Sequence, residues 1–245
     1  MDALTPLLPL LGRATVETLT MVLLTLLFGG LGGLVMGLGL YLTRAGSLFA
    51  NRPVFAVLNV VVNTFRPIPF IIFLVAAQPL ARLATGSGIG QPAIIFTLSL
   101  AASFAISRIV EQNLLTVQPG VIEAARSVGA SPVRIVVTLL IPEALGPLVL
   151  GYTFVFVGIV DMTAVAGAVG GGGLGDFAIV YGYRQFEPVV TWSAVLIIIV
   201  LVQVVQFIGN RLARAALRRC SCRASPAAAV PSPSGAWRPR RARAG

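Results

Sequence analysis

Few residue types in this chain are able to do chemistry, and the missing ones narrow its function. All eighteen basic residues are arginine, because the 245-residue sequence contains neither lysine nor histidine. Without lysine there is no Gly-x-x-x-x-Gly-Lys-Ser/Thr loop to hold nucleotide phosphates, so the chain is not a P-loop ATPase. Without histidine, the Ser-His-acid arrangement and imidazole metal sites are excluded. Cys220 and Cys222 make only a Cys-x-Cys, too few ligands for a zinc site. We therefore expect no catalytic residue, no metal and no cofactor held by this chain. What remains is Arg66 and Asp161 in apolar surroundings, a glycine run from Gly170 to Gly175, and a polar segment around Glu123 and Gly129. Such groups pair, dock or contact a solute; they do not break covalent bonds.

The elements that must position them lie in lipid. With 57% hydrophobic and 11% charged residues and a mean hydropathy of +0.94, the composition is that of an integral membrane protein. About 20 helical residues cross a hydrocarbon core of roughly 30 Å, and such tracts fall at 17–41, 58–78, 91–109, 148–169 and 190–209. The fold class expected is all-α: a polytopic bundle of five transmembrane helices. The second and third spans, joined by the Pro- and Gly-rich 78–92, are alternatively re-entrant segments. The first tract lacks the basic n-region of a secretory signal and is read as a retained helix.

Arginine placement orients the bundle, since basic loops stay on the cytoplasmic side. With the N-terminus outside and the C-terminus inside, Arg44, Arg52, Arg108, Arg126, Arg134 and the nine arginines from Arg211 onward lie inside; Arg13, Arg82 and Arg184 lie outside. The bias is fourteen to three. The net charge of +10 is concentrated after the last span, which fits anchoring to anionic lipid headgroups better than nucleic-acid binding, and no nucleic-acid partner is expected.

Between Arg108 and Pro147 the punctuation fits two short helices meeting at a turn. Pro119 opens the first, Glu123 sits near its positive end, and Val121, Ile122, Ala125 and Val128 line one side. Gly129 and Ala130 break it; Ser131 caps the next helix, with Pro132 at its first position. Pro142 and Pro147 interrupt the run into the fourth span. The product is a helix with small residues, Ala124, Ala125 and Gly129, that allow close approach of a partner groove. By spacing alone it is alternatively a re-entrant or interfacial helix that closes the bundle.

Within the second span, Pro67 and Pro69 remove backbone donors, and Pro67 disfavours helical geometry at Arg66. Either this is a kink beside a translocation path with Arg66 facing the bundle, or Arg66 snorkels to the inner headgroups. Asp161 lies inside the fourth span, where an ionised side chain costs roughly 2.5–3.5 kcal/mol and must face the interior, pair or titrate. It lines a pathway together with Thr163, or makes a structural hydrogen bond. The glycine run follows no strand, and reads as tightly bent or flexible backbone at an external mouth. Gly29, Gly30, Gly32, Gly33, Gly37 and Gly39 in the first span allow close helix packing.

At the polar segment the residues resemble a known family. Glu123-Ala-Ala-x-x-x-Gly129, followed by Leu139-Leu-Ile-Pro142, looks like the "EAA" loop of ABC-importer permeases, E-A-A-x3-G-x9-I-x-L-P, with Leu139 and Ile141 as conservative departures. The resemblance extends over residues 13–219 to the methionine-uptake members of that group, a small five-helix type. It is carried by Glu17-Thr-Leu, Asn63-Thr-Phe-Arg-Pro-Ile-Pro-Phe70, Ala124-Ala-Arg-Ser-Val-Gly-Ala130, Gly167-Ala-Val-Gly-Gly-Gly-Gly-Leu-Gly175 and Tyr181-Gly-Tyr183-Arg-Gln-Phe186. The Tyr-Gly-Tyr-x-x-Phe stretch leans toward methionine. Where the family usually has a small or neutral residue followed by Tyr-Ser-Ala-Met, this chain has Asp161 and then Met162-Thr-Ala-Val165.

The resemblance implies the type I ABC-importer fold, with an external segment 1–12, a transmembrane domain 13–212 containing a cytoplasmic coupling loop 110–147, and a tail 213–245. It implies that Glu123, Ala124, Ala125, Gly129 and Ser131 dock in a cleft of a separate subunit that binds the ATP. Two copies of the chain then pair with two ATP-binding subunits in a bacterial inner membrane and receive cargo from an external lipoprotein. Arg66, Pro67, Asp161 and Thr163 are the pathway candidates. The cargo is methionine, both stereoisomers, or else another amino acid, betaine or phosphonate. The rival class is an ATP-independent channel or secondary carrier, for which no duplicated halves are visible. From Cys220 onward the Ala, Pro, Ser and Arg composition predicts disorder.

Overall fold

The computed structural model describes residues 5–221, with side chains from 6 to 216. A 3₁₀ turn, Thr5–Leu7, leads into α1 (Leu8–Thr43), followed by α2 (Arg52–Phe65), α3 (Phe70–Ala76), α4 (Gln78–Thr85) and α5 (Gln91–Leu115). Then come α6 (Pro119–Ser127), α7 (Pro132–Ile135), α8 (Ile141–Ala168), α9 (Gly173–Phe177) and α10 (Pro188–Ser221). Four runs are long and apolar enough to cross a bilayer: α1, α5, the continuous Pro132–Ala168, and α10 as far as Ala216. The bundle has two ends, one carrying the α6–α7 turn and the other carrying the glycines from Gly170.

The most extensive pairing is α1 against α5. Lipid supplies little hydrophobic drive for helix association, so close van der Waals packing must hold the two together. The small residues of α1 provide it. A Cβ on Gly29 would lie 2.8 Å from the carbonyl oxygen of Ser99, one on Gly33 2.5 Å from Ile106 Cβ, and one on Gly37 2.5 Å from the Ser107 carbonyl. Ser103 adds a hydrogen bond from its hydroxyl to the Gly29 carbonyl at 3.2 Å. The spacing of four puts these glycines on one face, and that face is the seam. Val22, Ile106, Val110, Leu140 and Ile159 continue it into the main core shared with α8.

The second expected span is not one rod. α2 and α3 meet at 109° across residues 66–69. The break lies later than expected: Arg66 is helical at φ −58° and ψ −43°, its amide donating to Val62 at 3.1 Å, and that bond outweighs the bias of Pro67. Extended backbone begins at Pro69, φ −54° and ψ 133°. Aromatic packing fixes the elbow. Phe65 stacks on Phe104 of α5 at 5.1 Å, and Phe73 of α3 meets both rings edge-on, at 6.3 and 6.4 Å.

Pro142 and Pro147 do not interrupt the fourth span either. Helix continues through them from Pro132 to Ala168; just before Pro142 the backbone widens to a π turn over Val136–Leu140, with the Ile141 amide reaching Val136, and Pro147 lies inside α8. Local π adjustment is one of the means by which a membrane helix tolerates proline. At the other boundaries, helix already occupies residues 8–12 of the segment read as external, and α10 runs through the start of the tail to Ser221. The expected disorder concerns residues that otherwise lie outside those described.

Candidate functional site

At the α6–α7 turn, Gln118 is extended and Pro119 supplies the first helical position, where a missing N–H leaves nothing unsatisfied. Glu123 is the fifth residue of α6, beyond its first turn, so the helix dipole does not account for it. It lines a cleft of about 330 Å³ between α6 and the α1–α2 connection, with Tyr41, Arg44, Ser47 and Arg126. The helix ends in a Schellman motif: the Gly129 amide donates to Arg126 at 2.9 Å and the Ala130 amide to Ala125 at 3.1 Å. Gly129 sits at φ +77°, in open space. Glycine is required there for its backbone conformation alone.

The single face expected for α6 divides in two. Ile122 packs against the main core and Ala125 is half-buried. Val121, Ala124 and Val128, at spacings of three and four, point outward, and Val128 is 82% exposed. Past the turn, Val133 and Val137 are exposed as well. Ser131 stands at the N-cap of α7 with φ −65° and ψ 149°, but its hydroxyl makes no capping bond. It is exposed beside the same surface.

At the opposite end two distant sequence features meet. Gly170, Gly172 and Gly173 have φ of +82°, +75° and +78°, turning the chain from α8 into α9. Into this turn reach two residues of α1: Glu17 Oε2 accepts from the Gly173 amide at 3.0 Å, and Thr18 Oγ1 accepts from the Leu174 amide at 2.8 Å. These are the free donors at the start of α9, so α1 caps it across 156 residues of sequence. Arg13 holds Glu17 from the other side at 3.0 Å. A Cβ on Gly173 would stand 2.6 Å from Thr18 Oγ1 and 2.8 Å from Met21 Cε. The glycine run is therefore tightly bent backbone, and the amides that open α9 are taken by a carboxylate and a hydroxyl of the same chain.

The structure also shows a polar cluster that sequence reasoning missed. Arg108 falls at the inner end of the expected span 91–109, and α5 continues past it to Leu115. Its guanidinium donates to Glu111, Asn59 and Asn63, tying α5 to α2 just before the elbow. Glu111 is 4% exposed. The signal was present as Asn59 and Asn63 four apart and Arg108 and Glu111 three apart, each pair on one helix face.

The pathway candidates do not share one surface. Arg66 and Pro67 are exposed at the elbow. Thr163 is 2% exposed and its hydroxyl donates to the Val160 carbonyl at 2.7 Å, so it is turned inward and does not accompany Asp161. Asp161 is exposed, and among the described residues neither it nor Arg66 has a side-chain partner.

Comparison with known proteins gives this arrangement a context. A family model described as the binding-protein-dependent transport system inner membrane component matches residues 33–219. The chain is 40% identical over 205 residues to the Vibrio cholerae protein named "Probable D-methionine transport system permease protein MetI", covering 84% of this chain and 91% of that one. It is 39% identical over 171 residues to the Bacillus subtilis methionine import system permease protein MetP, covering 70% and 77%. The structure matches that of the MetNI methionine ABC transporter, solved in inward-facing conformations, with a TM-score of 0.84 at 40% identity over 86% of this chain and 98% of the other. An amino acid ABC transporter solved with histidines shares the fold, at a TM-score of 0.65 and 22% identity. With its broken second span, its turn at Gly129 and its capped glycine run, this chain belongs to the family of binding-protein-dependent transport system inner membrane components.

Proposed function

We propose that this chain is the membrane-spanning permease of an ATP-driven methionine importer, does no catalysis itself, and works as two copies with two ATP-binding subunits. The observation that carries the reading is the uncovered apolar surface of Val121, Ala124, Val128 and Val133 around the Gly129 turn, in a family member similar along most of its length to methionine permeases. Glu123, Ala124, Ala125, Gly129 and Ser131 form or frame the docking site, and ATP is bound by the docked subunit. The α6–α7 end lies in the cytoplasm, with the N-terminus outside and the C-terminus inside, and an external lipoprotein delivers cargo.

The mechanism follows from where α6 is attached. Ile122 roots the docking helix in the core that joins α1, α5 and α8. Closure of the ATP-binding pair displaces α6, and the displacement passes through that core to the spans. An ATP-loaded partner therefore biases a two-state bundle, provided its contacts with α6 differ between inward- and outward-facing states.

The test is co-purification and vesicle uptake with the cognate ATP-binding subunit. Val128→Asp places a charge on the docking face and is expected to weaken association by at least tenfold, with bundle stability unchanged. Methionine uptake in vesicles that contain no ATP-binding subunit would reject the proposal in favour of a channel or secondary carrier.

A further inference from the structure

The helix α8 has two dissimilar faces. One belongs to its own chain: Val155, Phe156, Ile159 and Val160 are buried in the main core, Thr163 is turned inward, and Met162 packs against the buried cluster of Met21, Ile94, Leu98 and Ala166. The other carries Leu150, Phe154, Gly158, Asp161, Val165 and Ala168, at spacings of three and four. All of these are exposed except Val165, which is half-buried. A Cβ built on Gly158 meets nothing within 4 Å. Asp161 thus stands on a stripe that the described residues leave open, seven residues, or about 10 Å, from the glycine-turn end of α8.

An ionised carboxylate in that position is incompatible with lipid. Intramembrane charges face a bundle interior or a water-filled cavity. Since the chain's own bundle lies on the opposite face of α8, the interior available to Asp161 is the one formed between two copies. Gly158, one turn away, leaves room beside the carboxylate. A carboxylate facing such a passage attracts a cationic group and repels an anionic one.

Resting on the proposed importer function, we infer that Asp161 lines the aqueous passage between the two copies and engages the ammonium group of the cargo, making this subunit selective for solutes that carry a cationic nitrogen. The site disfavours anionic solutes such as phosphonates. It is a specificity feature built on a single carboxylate of α8.

Two measurements on the assembled complex with its ATP-binding subunit test this. In the first, Asp161→Cys, in a background with Cys220 and Cys222 replaced by serine, is exposed to a membrane-impermeant thiol reagent. We expect modification far faster than that of Val204→Cys on the exposed surface of α10, and slowing by millimolar methionine. Modification no faster than at Val204 would place Asp161 away from water and overturn the inference. In the second, Asp161→Asn, which keeps the hydrogen-bonding shape and removes the charge, is expected to lower methionine uptake at sub-saturating concentration on the order of tenfold, as befits loss of a charge-assisted bond. The loss should fall on KM more than on kcat, with Asp161→Glu restoring part of it. An Asn variant that transports like the wild type would mean Asp161 only hydrogen-bonds between helices, and would also overturn the inference. Should the wild type fail to import methionine, the importer reading falls, while the labelling arm, which needs no cargo, still decides where Asp161 lies.

Discussion

The two ends of this bundle are built from the same kind of residue and finished in opposite ways. At the glycine-turn end, the donors of α9 are filled by Glu17 and Thr18, and the space around Gly173 is occupied by Thr18 and Met21. At the α6–α7 end, the Schellman turn satisfies its own backbone, but the space around Gly129 is empty and Val128 stands 82% exposed. One end is closed by the chain itself. The other keeps its backbone satisfied and its surface uncovered, which is the condition of a rigid element awaiting a second protein. A shared positive φ therefore says little about role; what surrounds the glycine decides it.

That contrast can be broken experimentally. The largest effect is expected for Gly173→Val, which combines a strained left-handed backbone with overpacking against Thr18 and Met21. Together these cost about 3 kcal/mol or more, read as a fall in Tm of the purified protein in detergent. Next is Glu17→Ala, which leaves the Gly173 amide without its partner. We expect a loss of about 1–2 kcal/mol in the same measurement. Gly129→Ala has the same sign of φ but no steric neighbour. Its cost should be about 1 kcal/mol, well below that of the Gly173 substitution, and a comparable loss at both would erase the distinction between the two ends. Smallest is Ser131→Ala, which removes no capping bond. Its Tm should match the wild type within roughly 0.5 kcal/mol, while the affinity for the ATP-binding subunit reports any contact that Ser131 makes there.

The Gly129 turn was legible in the sequence because its determinants are local: Pro119 at a helix start, Gly129 at a left-handed position and Pro132 at the next first position act within a few residues. The elbow at residues 66–69 was only half legible. Two prolines marked a break, but Arg66 kept its helical bond to Val62, and the 109° turn is held by Phe104, which lies on another helix. The Arg108 cluster was missed for a related reason. Hydropathy carries the third span to residue 109 with Arg108 counted among the inner charges, but only the fold brings Asn59 and Asn63 of α2 to its guanidinium beside Glu111. Thr163 and Asp161, two residues apart, could not be assigned to one surface, since α8 turns about 200° over that distance.

By itself the amino-acid sequence determined that this chain resides in a membrane, holds no nucleotide loop of its own, and turns at Gly129, because side-chain hydropathy, residue chemistry and φ preference are set locally. Tertiary structure alone decided that Glu17 closes the glycine turn, that Arg108 is held by three oxygen acceptors, and that Asp161 faces away from its own bundle. Those outcomes join residues tens of positions apart, or follow from which side of a helix is already filled, and both depend on how the helices pack.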